Sequence, residues 1–137
     1  MSTRSNISVQ QPDGSFLGIY CHSDGYLEYN GQLLQRHYAT AEAASALVAL
    51  GDLSCLGRDG TPVAYHRDRE EPWEDVALTA APTREDMRIL FEDAARHFYC
   101  FHDGAWHVSH PKHPDWQPLT EALHLAADAT PPVLRGL

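Results

Sequence analysis

The sequence predicts an α+β domain whose mainly antiparallel sheet comes from two β-hairpins plus one strand, packed with three to four helices. Three observations predict this. Two alternating segments each fold over a turn built on Asp-Gly, and apolar residues recur at helical spacing between them. The 137-residue length suits one domain spanning 1–137, with a flexible tail over about 130–137.

The first hairpin covers residues 5–22. Pro12-Asp13-Gly14 supplies the turn, because proline presets the first turn position and glycine tolerates positive φ. A three-residue loop pairs Ile7 with Ile19 and Val9 with Leu17, setting apolar against apolar on one face. Tyr26 to Tyr38 carries Leu27, Leu33 and Leu34 at a rough helical period, which Gly31 interrupts as a kink or a close-packing point. Thr40 caps a second helix over 41–50 with Ala43, Leu47 and Leu50 on one stripe, and Gly51 ends it. Together these make an αα-hairpin.

Residues 52–60 read as a loop and Thr61–Arg67 as a strand with Pro62 at its start. Asp68–Asp75 reads as an acidic loop, followed by a short strand over Val76–Ala80. Thr83 and Asp86 form a capping box for a helix with Met87, Leu90, Phe91 and Ala94 on its apolar stripe. Ion pairs Glu85–Arg88, Arg88–Glu92 and Glu92–Arg96 are expected on its outer face. The second hairpin, 98–109, turns at Asp103-Gly104 and places Tyr99, Phe101, Trp106 and Val108 on a core face. Three prolines argue against regular structure over 110–118, and 120–127 reads as a short helix. Free hairpin edges would allow a homodimer across a two-fold axis.

Charge narrows the function classes. Nineteen Asp and Glu against ten Lys and Arg give a net charge of −9. That argues against direct nucleic-acid binding, which needs clustered cations to release counterions, and against anionic membrane surfaces. The imbalance is local. Residues 68–93 hold nine acids against Arg69, Arg84 and Arg88. Because the helical part carries its own arginines, the bare patch is Asp68, Glu70, Glu71, Glu74 and Asp75 around Trp73. An aromatic ringed by carboxylates suits a protein or nucleoprotein partner with a basic surface.

Enzyme signatures are absent. There is no Walker A, GxGxxG, HExxH or GxSxG sequence, and His66-Arg67-Asp68 lacks the rest of a kinase catalytic loop. No cofactor is therefore expected. The competing reading is a small-molecule binder or metal-assisted enzyme using His22, Asp24, His66, Cys100, His102 and His107. Cys100 and His107 would face each other across the second hairpin with His102 diagonal, and Cys and His are zinc-ligand types. Their spacing matches no known closed zinc site, and six of nine histidines fall in 97–124. Cys21, Cys55 and Cys100 form no CxxC pair, and the polar start MSTRSNISVQQ has no apolar core. Both observations predict reduced thiols in a cytoplasm.

Several strings in residues 3–70 resemble a family of small phage- and prophage-encoded proteins, largely of unassigned function. They are Arg4-Ser5-x-Ile7, Pro12-Asp13-Gly14-Ser15, Ile19-Tyr20-Cys21-His22-x-Asp24-Gly25-Tyr26, Gly31, Leu33-Leu34, His37-Tyr38, Gly51-Asp52-Leu53-Ser54 and Ala64-Tyr65-His66-Arg67-Asp68-Arg69. Departures are Ser23 for an expected Trp, Leu27 for Pro and Glu70 for Gly. The family has no agreed catalytic residues, so none is carried over. The resemblance implies a phage accessory protein acting in bacterial cytoplasm. By class analogy it implies a non-enzymatic counter-defence inhibitor of the anti-CRISPR type, which blocks a basic nucleic-acid channel on a host complex such as a CRISPR effector. A phage regulatory or structural role is the remaining alternative.

Overall fold

A computed structural model describes residues 3–129. The expected tail at 130–137 lies outside the described residues. The chain is α+β, but its sheet is larger than expected and mixed. Strands β1 (Ser5–Gln10) and β2 (Phe16–Cys21) form the first hairpin. Its register is the expected one, Ile7 opposite Ile19 and Val9 opposite Leu17, and Gly14 has φ +90°. Strands β6 (His97–His102) and β7 (Ala105–His110) form the second hairpin, with Cys100 opposite His107 and Phe101 opposite Trp106. Asp103 and Gly104 both have positive φ, as a two-residue primed turn requires.

The two hairpins join through a parallel pairing of β1 with β6. The segment read as a loop at 52–60 contains β3 (Leu53–Leu56), which touches β2 in parallel at Cys21–Leu53 and pairs with β4 (Pro62–Ala64). The order is β4-β3-β2-β1-β6-β7-β8, with β5 (Thr79–Ala81) also pairing with β2. β8 is His113–Pro118, in the stretch expected to be irregular. Its prolines are tolerated because β8 is the sheet edge, where the missing N–H breaks no ladder. Neither hairpin edge is free. The outer edges are β4 and β8, which carry Pro62, Pro114 and Pro118.

β5 pairs with β2 over Phe16–Gly18 and β3 meets it at Cys21. Between those contacts, the Tyr20 amide donates to Asp52 Oδ1 at 2.9 Å. Asp52 therefore closes the gap in the ladder, and burial raises its carboxyl pKa against the lowering effect of that bond.

The larger core lies on one face of the sheet. Ile7, Val9, Ile19, Tyr99, Phe101, Trp106 and Val108 pack under the helices there. A π-helical turn over Leu27–Gly31 runs directly into α1 (Gln32–His37), so Gly31 marks the change of helix type. α2 (Ala41–Val48) is capped by Thr40 Oγ1, which accepts from the Ala43 amide at 3.1 Å. Its buried stripe is Ala44, Leu47 and Val48; of the expected set Leu47 is buried and Leu50 packs half-buried against the core, while Ala43 is half-buried. α6 (Leu119–Ala129) covers the same face through Leu119 and Ala122.

α5 (Arg84–Phe91) lies on the opposite face, where Met87 packs with Phe16, Ala81 and Cys100. The capping box is present, with the Asp86 amide donating to Thr83 Oγ1 and Thr83 Oγ1 to Asp86 Oδ2. The expected apolar stripe forms in part, with Met87 buried and Phe91 packed against the same cluster. Leu90 is 59% exposed and Ala94 is exposed, while Arg84 and Arg88 turn inward. Arg84 lies over Trp116 and Arg88 over Phe98, so cation–π contact takes the place of aliphatic burial. Of the three expected ion pairs, Glu85–Arg88 forms at 3.3 Å; the other two do not form among the described residues.

Candidate functional site

The acidic segment is ordered helix and turn, not loop. The expected strand over Thr61–Arg67 stops at Ala64, and α3 (Tyr65–Arg69) follows immediately. Asp68 folds back to take the Ala64 amide at 2.8 Å and the Arg67 guanidinium at 2.9 Å. These bonds hold its carboxyl below the ordinary carboxylate range. Asp68 is thereby a structural acid, and its charge is paired.

Glu70 ends α3 with φ +58°, the left-handed conformation that favours glycine. Its amide donates to the His66 carbonyl and the Glu71 amide to the Tyr65 carbonyl. His66 Nδ1 donates back to the Glu71 carbonyl at 2.8 Å. His66 thus locks the turn and is not assembled with His22 or Asp24. Pro72 then leads into α4 (Trp73–Val76), which places Glu74 and Asp75 in its first turn, favourable for carboxylates.

Trp73 is 39% exposed. Its inner edge seats on Gly51, and its ring meets His66 edge-on at 5.2 Å. A Cβ on Gly51 would lie 2.5 Å from the Val76 carbonyl oxygen and 2.9 Å from Trp73 Cζ3. Gly51 also has φ +80°, so it serves both as the stop of α2 and as the seat of the indole. Trp73 stays partly in water, and Glu70, Glu71, Glu74 and Asp75, close to it in the chain, are all exposed. None of these four makes an ion pair among the described residues. The nearby cations are engaged elsewhere, Arg67 with Asp68 and Arg69 over Tyr65.

The Cys/His set separates into distinct environments. His22 Nδ1 meets the Tyr20 hydroxyl at 2.8 Å at the end of β2, and Asp24 sits in a left-handed turn beyond it. Cys100 and His107 are opposite each other as expected, but burial pushes the Cys100 thiol up to about 12. His102 accepts from Arg84 through Nε2 at 2.8 Å and donates through Nδ1 to Asp103 at 3.0 Å, so both ring nitrogens are occupied. His107 stacks on His102 with centroids 4.0 Å apart, and burial lowers its pKa. No group of three or more His, Cys, Asp or Glu among the described residues is arranged to hold a metal ion.

Sequence reading found the carboxylates and Trp73 but missed Gly51 and the left-handed state of Glu70. Gly51 carried a signal as the stop of a helix. Its second role depends on a tertiary contact with Trp73. No helix among the described residues is long and apolar enough to cross a membrane. In comparison with known proteins, no family model, curated protein or solved structure matches this chain.

Proposed function

We propose that this chain is a non-enzymatic binding protein that covers a basic, nucleic-acid-binding surface of a partner complex through the turn Glu70–Asp75. The observation that carries the reading is the fixed geometry of unpaired charge. Four exposed carboxylates without an ion pair stand close in sequence to a half-seated indole, Glu70 and Glu71 at the stop of α3 and Glu74 and Asp75 in α4, with the local arginines bound elsewhere. Carboxylates so placed compete for Lys and Arg that otherwise hold phosphates. Trp73 supplies the apolar anchor that gives such a contact affinity beyond steering.

Glu70 at φ +58° ends α3 and turns the chain toward Pro72 and α4, at a cost of about 1–2 kcal/mol for a non-glycine residue. Residues 3–70 resemble phage-encoded proteins, which directs the search to host defence nucleoproteins, with a CRISPR effector as one such target. The proposed setting is the bacterial cytoplasm.

The test is capture from host lysate by the purified protein, with elution by added single-stranded DNA or RNA. We expect capture of a nucleic-acid-binding complex that competing polyanion displaces. The quadruple change Glu70→Lys, Glu71→Lys, Glu74→Lys and Asp75→Lys should abolish capture with the circular dichroism spectrum unchanged. Capture that survives the reversal would overturn the assignment.

A further inference from the structure

α5 is inside out. Its inward face carries Arg84, Met87, Arg88 and Phe91, while Ile89 is 51% and Leu90 59% exposed. The large exposed hydrophobics among the described residues are Tyr26, Trp73, Ile89, Leu90 and Leu125. Only Ile89 and Leu90 are adjacent, so they alone make a contiguous aliphatic surface.

The inward arginines are held in place. Arg84 donates to His102 Nε2 at 2.8 Å and lies 5.1 Å from the Trp116 ring centroid. Arg88 donates to Ser109 Oγ at 3.2 Å and lies 5.5 Å from that of Phe98. These contacts fix the rotation of the helix, so Ile89 and Leu90 cannot turn inward without breaking them.

The surroundings of the pair are acidic. Asp86 precedes Ile89 and Leu90 by three and four residues, which puts it one turn away on the same side of the helix. Asp93 follows at the same spacing, just beyond the helix end; it and Glu92 are exposed without an ion pair among the described residues, whereas Glu85 is held by Arg88 and Asp86 takes the Thr83 hydroxyl. An aliphatic pair with a carboxylate rim has the layout of an interface centre and its polar border.

We infer that the outer face of α5 is a second docking surface, which takes a cationic amphipathic helix of a partner protein. Apolar side chains of that helix would cover Ile89 and Leu90, and its Lys or Arg would reach the carboxylate rim. Charge complementarity selects this occupant over a second copy of the chain, because two copies would set acid rim against acid rim. The inference does not depend on the Glu70–Asp75 turn, which is a separate surface.

The probe is a synthetic 18-residue peptide of Leu and Lys in helical amphipathic order. Its control has the same composition in an order that spreads Leu around the helix. We expect the amphipathic peptide to shift amide resonances of residues 85–94 and to bind at least tenfold more tightly than the control. The double change Ile89→Ser/Leu90→Ser should weaken binding at least tenfold with little change in melting temperature. Asp93→Lys should weaken it independently. Equal binding of both peptides, shifts confined to residues 66–76, or unchanged affinity of the variants would overturn the inference. So would a wild-type dimer that Ile89→Ser/Leu90→Ser converts to monomer, because the occupant would then be a second copy.

Discussion

Glu70→Gly should make the protein more stable while removing one carboxylate from the proposed contact. Glu70 holds φ +58° and ψ +26° at the C-terminal end of α3. A Cβ in this conformation costs about 1–2 kcal/mol from its clash with the following carbonyl oxygen. Glycine removes that cost but gains freedom in the unfolded chain, which returns about 0.5–1 kcal/mol. The net gain therefore lies between about 0 and 1.5 kcal/mol, centred on ~0.75, where it raises the melting temperature by about 2–4 °C for a chain of this size. Urea unfolding followed by circular dichroism reads the gain directly. Glu70→Ala is the control, because it removes the charge and keeps the strain. Equal stability of the Gly and Ala variants would refute the strain, and a less stable Gly variant would show that the glutamate side chain supports the turn. In the lysate assay both variants should lose affinity together, since both lack the carboxylate.

Two further outcomes follow from buried titratable groups. His97 stacks on His110 with centroids 5.7 Å apart, and its Nδ1 is buried without a partner. Burial, with His110 second, lowers its pKa from 6.5 to about 4. The unfolded chain then binds more protons than the native one, so this stability is full above pH 6.5 and is lost as pH falls toward 4. Fully buried, the group would cost about 2 kcal/mol at pH 5; its partial exposure reduces this to about 1. Urea midpoints between pH 7.5 and 5 should fall in wild type and fall less in His97→Phe, and equal slopes would contradict the assignment. Asp52 acts in the opposite sense, since burial raises its carboxyl, so the difference between wild type and His97→Phe carries the test and not the wild-type slope alone. Separately, a thiol-reactive disulfide reagent at pH 8 should label half-buried Cys55 in the native protein. Cys21 and Cys100, buried with thiols pushed up to about 11 and about 12, should react only after unfolding. Rapid native labelling of Cys21 or Cys100 would contradict their burial.

The hairpins were legible because their determinants are local. Gly14, Asp103 and Gly104 set the turns, and period-two alternation then left one sensible register. What joins the hairpins was not legible, because the parallel pairing of β1 with β6 brings together segments about 90 residues apart in sequence. β3 was hidden because four residues are too few for a period to show, and the strands expected over 61–67 and 76–80 are cut to the three-residue β4 and β5, which form where β3 and β2 offer an edge. α3 and α4 were obscured by their charge. A run of acids around a proline reads as loop unless the bonds from Asp68 and His66 back to the chain are known. α5 misled for a chemical reason. Helical spacing marked Leu90 as core, but aromatic rings on the sheet selected Arg84 and Arg88 instead.

The acidic residues divide by what their carboxylates do, and the division clarifies the net charge. Asp13, Asp59, Asp68, Asp86 and Asp103 each bond to a backbone or side-chain group within four residues, while Asp52 reaches across the sheet to Tyr20. Their short side chains suit caps and turns, where a carboxylate must reach its own neighbourhood. Part of the negative charge is therefore a by-product of building turns, and it would be present whatever the protein binds. Glu70, Glu71, Glu74 and Asp75 have no such task, and one of them sits where glycine would relieve strain. If solubility were the only demand, mixed charges scattered over the surface would meet it. The proposed contact with a cationic surface rests on the concentration of these unengaged carboxylates in one short segment, beside an indole whose inner edge is fixed by Gly51.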